Sequence, residues 1–388
     1  MAKEIALDGV RKEYRTLGTT HVAVDDVTLS IPAGSFTTIV GPSGCGKTTT
    51  LRMIAGLESP TSGRICFGET DVTDLPPQKR NVAMVFQSIA LYPHMTVRQN
   101  VGYGLKIAGV PKRERDERIE EAAATLQISD QLEKKPAELS GGQQQRVALG
   151  SAFVQDPDVL LLDEPMSDLD AKLKAELRVE VQRLHQQLDT TVVYVTHDQT
   201  EAMTMSDYVV LLKEGHVAQF DPPKTLFDYP DSEYVARFIG TPSTNVVDCT
   251  VRNRDDATGD GDSDGHGEGV VLEGHGLTIP IPGDTLGKRA GETVGVGIRP
   301  QYLTPAGGEH TFEITVEVVE PLGTESVVHA QTADGTRIDV VTDAVGGLDH
   351  GDSLVVGFDR RDVFVFDAEG ETILFGDSLD AERPESVQ

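Results

Sequence analysis

Two kinds of apolar pattern alternate along the first 240 residues. Thr37-Thr38-Ile39-Val40, Val82 to Phe86, Val159-Leu160-Leu161-Leu162 and Thr191-Val192-Val193-Tyr194-Val195 are β-branched or apolar nearly throughout. Strands buried on both faces in a parallel sheet read this way. Val22 to Val40 as a whole reads as strands. Helices are predicted over Lys47 to Ala55, Pro111 to Leu126, Ser140 to Val154 and Ala171 to Leu188. In the last, Leu173, Leu177, Val181 and Leu184 recur at helical spacing. Strands alternating with helices imply a parallel sheet with helices packed on its faces.

After about residue 240 the helical period stops. Phe312 to Val318, Ser326 to His329, Ile338 to Val341, Ser353 to Phe358 and Val363 to Phe366 alternate or run apolar, with Gly- and Asp-rich turns between them. Short strands at this spacing predict a small all-β, OB-like barrel. The expected organisation is an α/β domain over residues 1–240 followed by a β domain over 241–388, which the length of 388 residues accommodates.

Charge changes the picture for the second domain. The net charge is −29, and residues 243–388, with 29 acidic and 9 basic side chains, hold −20 of it. Nucleic acid is excluded as an expected partner, because phosphate binding needs a basic face. Acidity of this kind keeps a surface hydrated and self-repelling, and it is read here as salt adaptation, pointing to a halophile. Three cysteines, Cys45, Cys66 and Cys249, are too few and scattered for a disulfide framework or zinc site. No apolar run approaches the roughly 20 residues of a membrane span, and no signal-peptide pattern opens the chain, so a cytosolic protein is expected. Residues 255–268 read as a solvated loop. Within it Asp260, Asp262, Asp264 and Gly265 match the first half of a calcium loop, but Val271 stands where a bidentate Glu is needed. No specific metal is expected there.

The candidate chemistry lies in the first domain. Gly41 to Thr48, GPSGCGKT, follows a strand and opens a helix. The glycines let backbone N–H groups converge on phosphate oxygens, and the helix points its N-terminus at the anion. Lys47 can reach the β- and γ-phosphates, and Thr48 can place its hydroxyl on Mg²⁺. Gly41, Ser43, Gly44, Cys45, Gly46, Lys47, Thr48 and Thr49 are therefore nucleotide-binding candidates. Asp163 and Glu164 end the strand Val159 to Leu162. The first can hold a magnesium water shell, and the second can polarise a water in line with the γ-phosphate. His197 follows the next strand, at the same sheet edge; a lone histidine is usually structural, but here a γ-phosphate is within reach. Gln87 also stands at a strand end.

A second anion site lies about a hundred residues on. In Leu139 to Gln143, LSGGQ, Ser140 is a good N-cap, Gly141 and Gly142 expose backbone amides, and Gln143 lies in the first turn of the helix that follows. With one complete phosphate site already in the chain, this one makes sense if it closes over nucleotide held by another subunit.

These residues resemble the ATP-binding cassette (ABC) ATPases over essentially the whole chain, most closely the subunits that power carbohydrate importers of the maltose and glycerol-phosphate type. The resemblance rests on the P-loop, Gln87, LSGGQ, VLLLDEP at Val159 to Pro165, SDLD at Ser167 to Asp170 and THDQTEAMTMSD at Thr196 to Asp207, in that order. In the tail it rests on FIGTPSTN at Phe238 to Asn245, GIRP at Gly297 to Pro300 and EPLGTES at Glu320 to Ser326. It implies an α/β P-loop NTPase domain with a C-terminal TOBE/MOP-type domain for regulation or dimerisation. It also implies ATP and Mg²⁺ as cofactors, with Tyr14 on the adenine, Thr48, Gln87 and Asp163 in the magnesium shell, Glu164 as catalytic base and His197 as switch histidine. Ser140 and Gly142 would contact the γ-phosphate across a head-to-tail homodimer or a heterodimer with a paralogous ATPase. The implied partners are two membrane permease subunits, received by Gln87 and the segment Ser88 to Val101, and an extracellular solute-binding protein. The implied place is the cytoplasmic face of the cell membrane, peripherally bound, and the implied role is a sugar-import translocase. Importers of polyamine, iron, sulfate or molybdate carry similar tails. Ser151, Asp168, Tyr208 and Asp221-Pro222-Pro223 depart from the sugar-branch pattern, and none of them matches a nucleotide ligand.

Overall fold

The computed structural model describes residues 2–16, 18–253, 269–282, 286–343 and 347–376. The loop read at 255–268, with its partial calcium motif, lies outside the described residues. Contacts divide the chain into two compact units that meet at Lys224 and Thr225. The division expected after residue 240 falls inside the second unit.

The first unit is built on a six-stranded sheet in the order His216–Asp221, Tyr208–Lys213, Phe36–Val40, Thr191–Val195, Val159–Asp163, Val82–Val85. All neighbours are parallel except the hairpin of the first two. The all-apolar runs serve two cores at once. Leu160, Leu162, Val192 and Tyr194 face a cluster with the helices Lys112–Thr125, Gly141–Phe153 and Ala171–Gln187. Val159, Leu161, Val193 and Val195 face the opposite cluster with Leu51, Met53 and Ile54 of the helix Lys47–Ala55. This period-two division is why the strands carry no polar face.

The second cluster is closed by an antiparallel sheet of which the sequence pattern predicts only the strand within Val22 to Val40. Its order is Thr19–Ile31, Ile5–Thr16, Ser62–Phe67, Thr70–Asp71. Three register shifts between the first two strands break the alternation that would have marked Ile5–Thr16. The four predicted helices all form, each ending within about a residue of its predicted bounds.

The second unit places two antiparallel sheets, of six and five strands, around one core. That core takes Val247, Ile279, Val296, Ile314, Val328, Val340, Val356 and Val365. The five predicted strands are present, the first longer than expected, at His310–Leu322. The strands Asn245–Asn253, Gly269–Gly274, Leu277–Pro282 and Thr293–Ile298 were not predicted. The helix Glu233–Phe238 belongs to this unit because Arg299, fully buried, holds it there. The guanidinium donates to Phe227 O at 2.6 Å, Ala236 O at 2.9 Å, Thr244 Oγ1 at 2.8 Å and also to Ile239 O, and it lies 4.1 Å from the Phe227 ring centroid. Burial pushes its pKa down to about 10.

Candidate functional site

The strand Phe36–Val40 is buried throughout and delivers the chain to Gly41 at the sheet edge. The loop then turns into the helix Lys47–Ala55 through Gly46 at φ +108°. A Cβ on Gly46 would lie 2.4 Å from Ala23 O, so this position admits only glycine. Lys47 is 7% exposed, and its ammonium donates to Gly41 O at 2.8 Å and Pro42 O at 2.9 Å. Among the described residues no carboxylate lies within ion-pair distance of it. A buried cation with neutral partners only is a strong acceptor of an anion. Burial also raises the Cys45 thiol, against the pull of Lys47 nearby, so this cysteine packs as a neutral group.

The acidic pair sits at the end of Val159–Asp163. Asp163 is 5% exposed and accepts the Thr48 hydroxyl at 3.1 Å. Burial raises its carboxyl pKa and the neighbouring Glu164 adds to that, while the Thr48 hydrogen bond opposes both. A hard divalent cation fits this pair: one carboxylate and one hydroxyl, beside a phosphate cradle, is an oxygen-only donor set. Glu164 takes the left-handed backbone, φ +45°, with its N–H on Val195 O at 3.0 Å. This turn brings its carboxylate within 3.0 Å of His197 Nδ1. His197 follows the neighbouring parallel strand, as the sheet order requires.

Glu164 and His197 line one cleft of about 620 Å³, together with Ser43, Gly44, Gly46, Lys47, Thr48, Thr49 and Tyr14, while Asp163 lies behind Thr48 and is not part of the lining. Tyr14, on the strand Ile5–Thr16, which the sequence pattern does not predict, is 37% exposed. Gln87 is placed differently. It is exposed just beyond the outer strand Val82–Val85 and does not line the cleft.

The signature segment is also apart from the cleft; none of Ser140, Gly141, Gly142 or Gln143 lines it. Ser140 caps the helix Gly141–Phe153 in a reciprocal box. Its Oγ accepts from Gln143 N at 3.4 Å, and Gln143 Oε1 accepts from Ser140 N at 2.9 Å. Ser140 and Gly141 are exposed. A Cβ on Gly142 would come 2.2 Å from Leu173 Cδ2, which seats this helix start against the helix Ala171–Gln187. Farther along, Arg146 Nη1 donates to Glu180 Oε1 at 2.5 Å, both side chains being 10% exposed or less. Burial raises the Glu180 pKa and Arg146 lowers it. This pair, missed in the sequence, locks the signature helix to its neighbour; an Arg and a Glu 34 residues apart on two helices leave no local signal.

A P-loop with its acidic pair on a parallel sheet, joined to a separate glycine-rich helix start, defines a P-loop ATPase of the cassette class. Residues 24–167 match the ABC transporter family, and residues 296–366 match the TOBE domain. The chain is 43% identical over 373 residues to the lactose transport ATP-binding protein LacK of Rhizobium radiobacter, covering 95% of this chain and 99% of that protein. It is 44% identical over 386 residues to the xylose/arabinose import ATP-binding protein XacK of Haloferax volcanii, covering 97% and 95%. To the sn-glycerol-3-phosphate import ATP-binding protein UgpC of Brucella abortus biovar 1 it is 44% identical over 373 residues, covering 95% and 99%. Among solved structures, the dimeric ATP-binding cassette MJ0796 bound to ADP and Pi matches with TM-score 0.52 and 31% identity, covering 56% of this chain and 98% of that one. The chain belongs to the ATP-binding proteins of ABC transporters, ATPases coupled to transport.

Proposed function

We propose that this chain powers import of a sugar, as the ATP-hydrolysing subunit of a transporter with two membrane permeases and an extracellular solute-binding protein. The relatives named for lactose, xylose/arabinose and glycerol-phosphate support the substrate class. Among the described residues no helix is long and apolar enough to cross a membrane, which supports a peripheral place on the cytoplasmic face, held by the permeases. The observation that carries the mechanism is the separation of the exposed Ser140 and Gly141 from the Lys47 cleft. Two copies, or this chain and a paralogue, pair head to tail so that each signature segment covers the other's nucleotide.

Within each site the loop amides and Lys47 bind the phosphates, and Tyr14 faces the base. Thr48 and Asp163, with Gln87 as a further ligand, would hold Mg²⁺, which would neutralise charge on the phosphates. Glu164 accepts a proton from the attacking water, and His197 holds the Glu164 carboxylate and contacts the γ-phosphate. Residues 1–240 serve this chemistry, and 241–388 serve regulation or dimerisation. The test is the complex with its permeases in lipid vesicles. Its ATPase rate should rise at least about tenfold when the solute-binding protein carries a sugar. Stimulation by a polyamine, iron, sulfate or molybdate instead would overturn the sugar reading.

A further inference from the structure

Beside the cleft, the structure holds a buried carboxylate that the site as described does not use. Glu201 is 2% exposed. It lies on the helix Gln199–Met205, whose N-cap is Asp198. Its Oε2 accepts two hydroxyls, Tyr194 OH at 2.5 Å and Thr196 Oγ1 at 2.6 Å. No cation pairs with it among the described residues. Tyr194 is itself fully buried, packed at 5.8 Å from the Phe36 ring, and burial drives its phenol well above the ordinary value, so it remains a neutral donor.

The second hydroxyl gives the arrangement its meaning. Thr196 Oγ1, while donating to Glu201, accepts from Asp198 N at 3.0 Å. Thr196 N donates to Ile39 O at 3.3 Å, which ties the same residue to the strand that leads into the P-loop. His197 stands between the two anchored residues. Its own side chain is 60% exposed, and its one polar contact among the described residues is Glu164. A ring held so little by its surroundings takes its direction from the backbone on either side of it. That backbone is held by Thr196 N on Ile39 O and by the Thr196 hydroxyl, which receives Asp198 N and is itself fixed by the Glu201 carboxylate.

We propose that Glu201 is a positioning residue for ATP hydrolysis. Through the Thr196 hydroxyl it sets the backbone at His197 and so the His197–Glu164 contact. This rests on the reading of His197 and Glu164 given above. The relay needs an oxygen acceptor at position 201 and a hydroxyl at 196; it needs no charge transfer and no proton movement between them. A burial role alone would ask only for bulk at 201, and leucine would meet it.

The experiment uses the full chain, with steady-state hydrolysis of ATP and separate measurement of ATP binding by equilibrium dialysis. Thr196→Val removes one hydroxyl and leaves the Tyr194–Glu201 bond in place. It should lower kcat at least about tenfold, since small misplacements near the chemistry cost up to about a hundredfold, with KM and bound ATP unchanged. Glu201→Leu should match it. Glu201→Gln, which keeps an accepting oxygen, should recover most of the rate, and T196V/E201L should be no slower than the slower single variant, because both cut one relay. Circular dichroism melts of each variant show whether the chain is folded at the assay temperature; should Glu201→Leu fail to fold, Thr196→Val and Glu201→Gln carry the test. Turnover of Thr196→Val within twofold of wild type, with His197→Ala inactive, overturns this relay alone. Turnover of His197→Ala at the wild-type rate overturns the His197 reading and the relay together.

Discussion

Glu164 is held in a backbone conformation that costs a non-glycine residue about 1 kcal/mol or more. The turn is what sends its carboxylate to the cleft rather than along the strand. Glu164→Gln keeps that turn and every contact of Lys47, so ATP binding should persist while turnover falls at least about a hundredfold. Steady-state hydrolysis alongside nucleotide binding checks this, and hydrolysis within about twofold of wild type would sink the assignment. A different residue, His329, carries a pH signature. Its Nδ1 lies 2.7 Å from Asp339 Oδ1 and its Nε2 3.5 Å from Glu320 Oε2. The hydrogen bond to Asp339 is the main cause of its raised pKa. A raised folded value means the stabilisation is fully present below about 6.5, the ordinary histidine value, and is lost as pH rises through the folded one. Urea midpoints between about pH 5.5 and 8.5 should therefore fall with pH more steeply in wild type than in His329→Gln; parallel curves would show that the pair contributes nothing.

At the scale of elements, the signature helix carries two supports of unequal strength. Loss of the Ser140 cap in Ser140→Ala should cost about 1 kcal/mol. Arg146→Met leaves Glu180 buried without its cation and should cost about 3–5 kcal/mol in chemical denaturation. Equal effects would mean that the pair is screened by solvent. The contrast also marks what was legible in the sequence. The cap was readable because Ser140, a residue type that caps well, stands directly before the helix; its reciprocal bond with Gln143 came only with the structure. Val159 to Leu162 was readable because both its faces are buried. The strand Ile5–Thr16 that bears Tyr14 was not, because charged residues such as Arg11, Lys12 and Glu13 share its bulged length, whereas its neighbour showed within Val22 to Val40. Arg299 was legible only as part of the motif GIRP. That it holds four groups spread over Phe227 to Thr244 is a tertiary fact.

For the whole molecule the decisive quantity is charge. Of the net −29, −20 falls in residues 243–388, and such a segment repels itself unless salt screens it. Thermal stability of the full chain should rise steeply between about 0.1 and 3 M KCl, as the Debye length shrinks from about 10 Å to 3 Å or less. A flat curve would mean that the acidity has another purpose. The distance between cleft and signature has a genetic consequence. If each site draws its cleft from one chain and its Ser140–Gly142 segment from the other, a lesson follows for paired defects. A chain with Lys47→Ala spoils only the site it cradles, and a chain with Ser140→Arg spoils only the site it covers. In a mixed pair both lesions fall on the same site and the other is whole. Two inactive variants, co-expressed, should thus restore a working pair that neither can form alone.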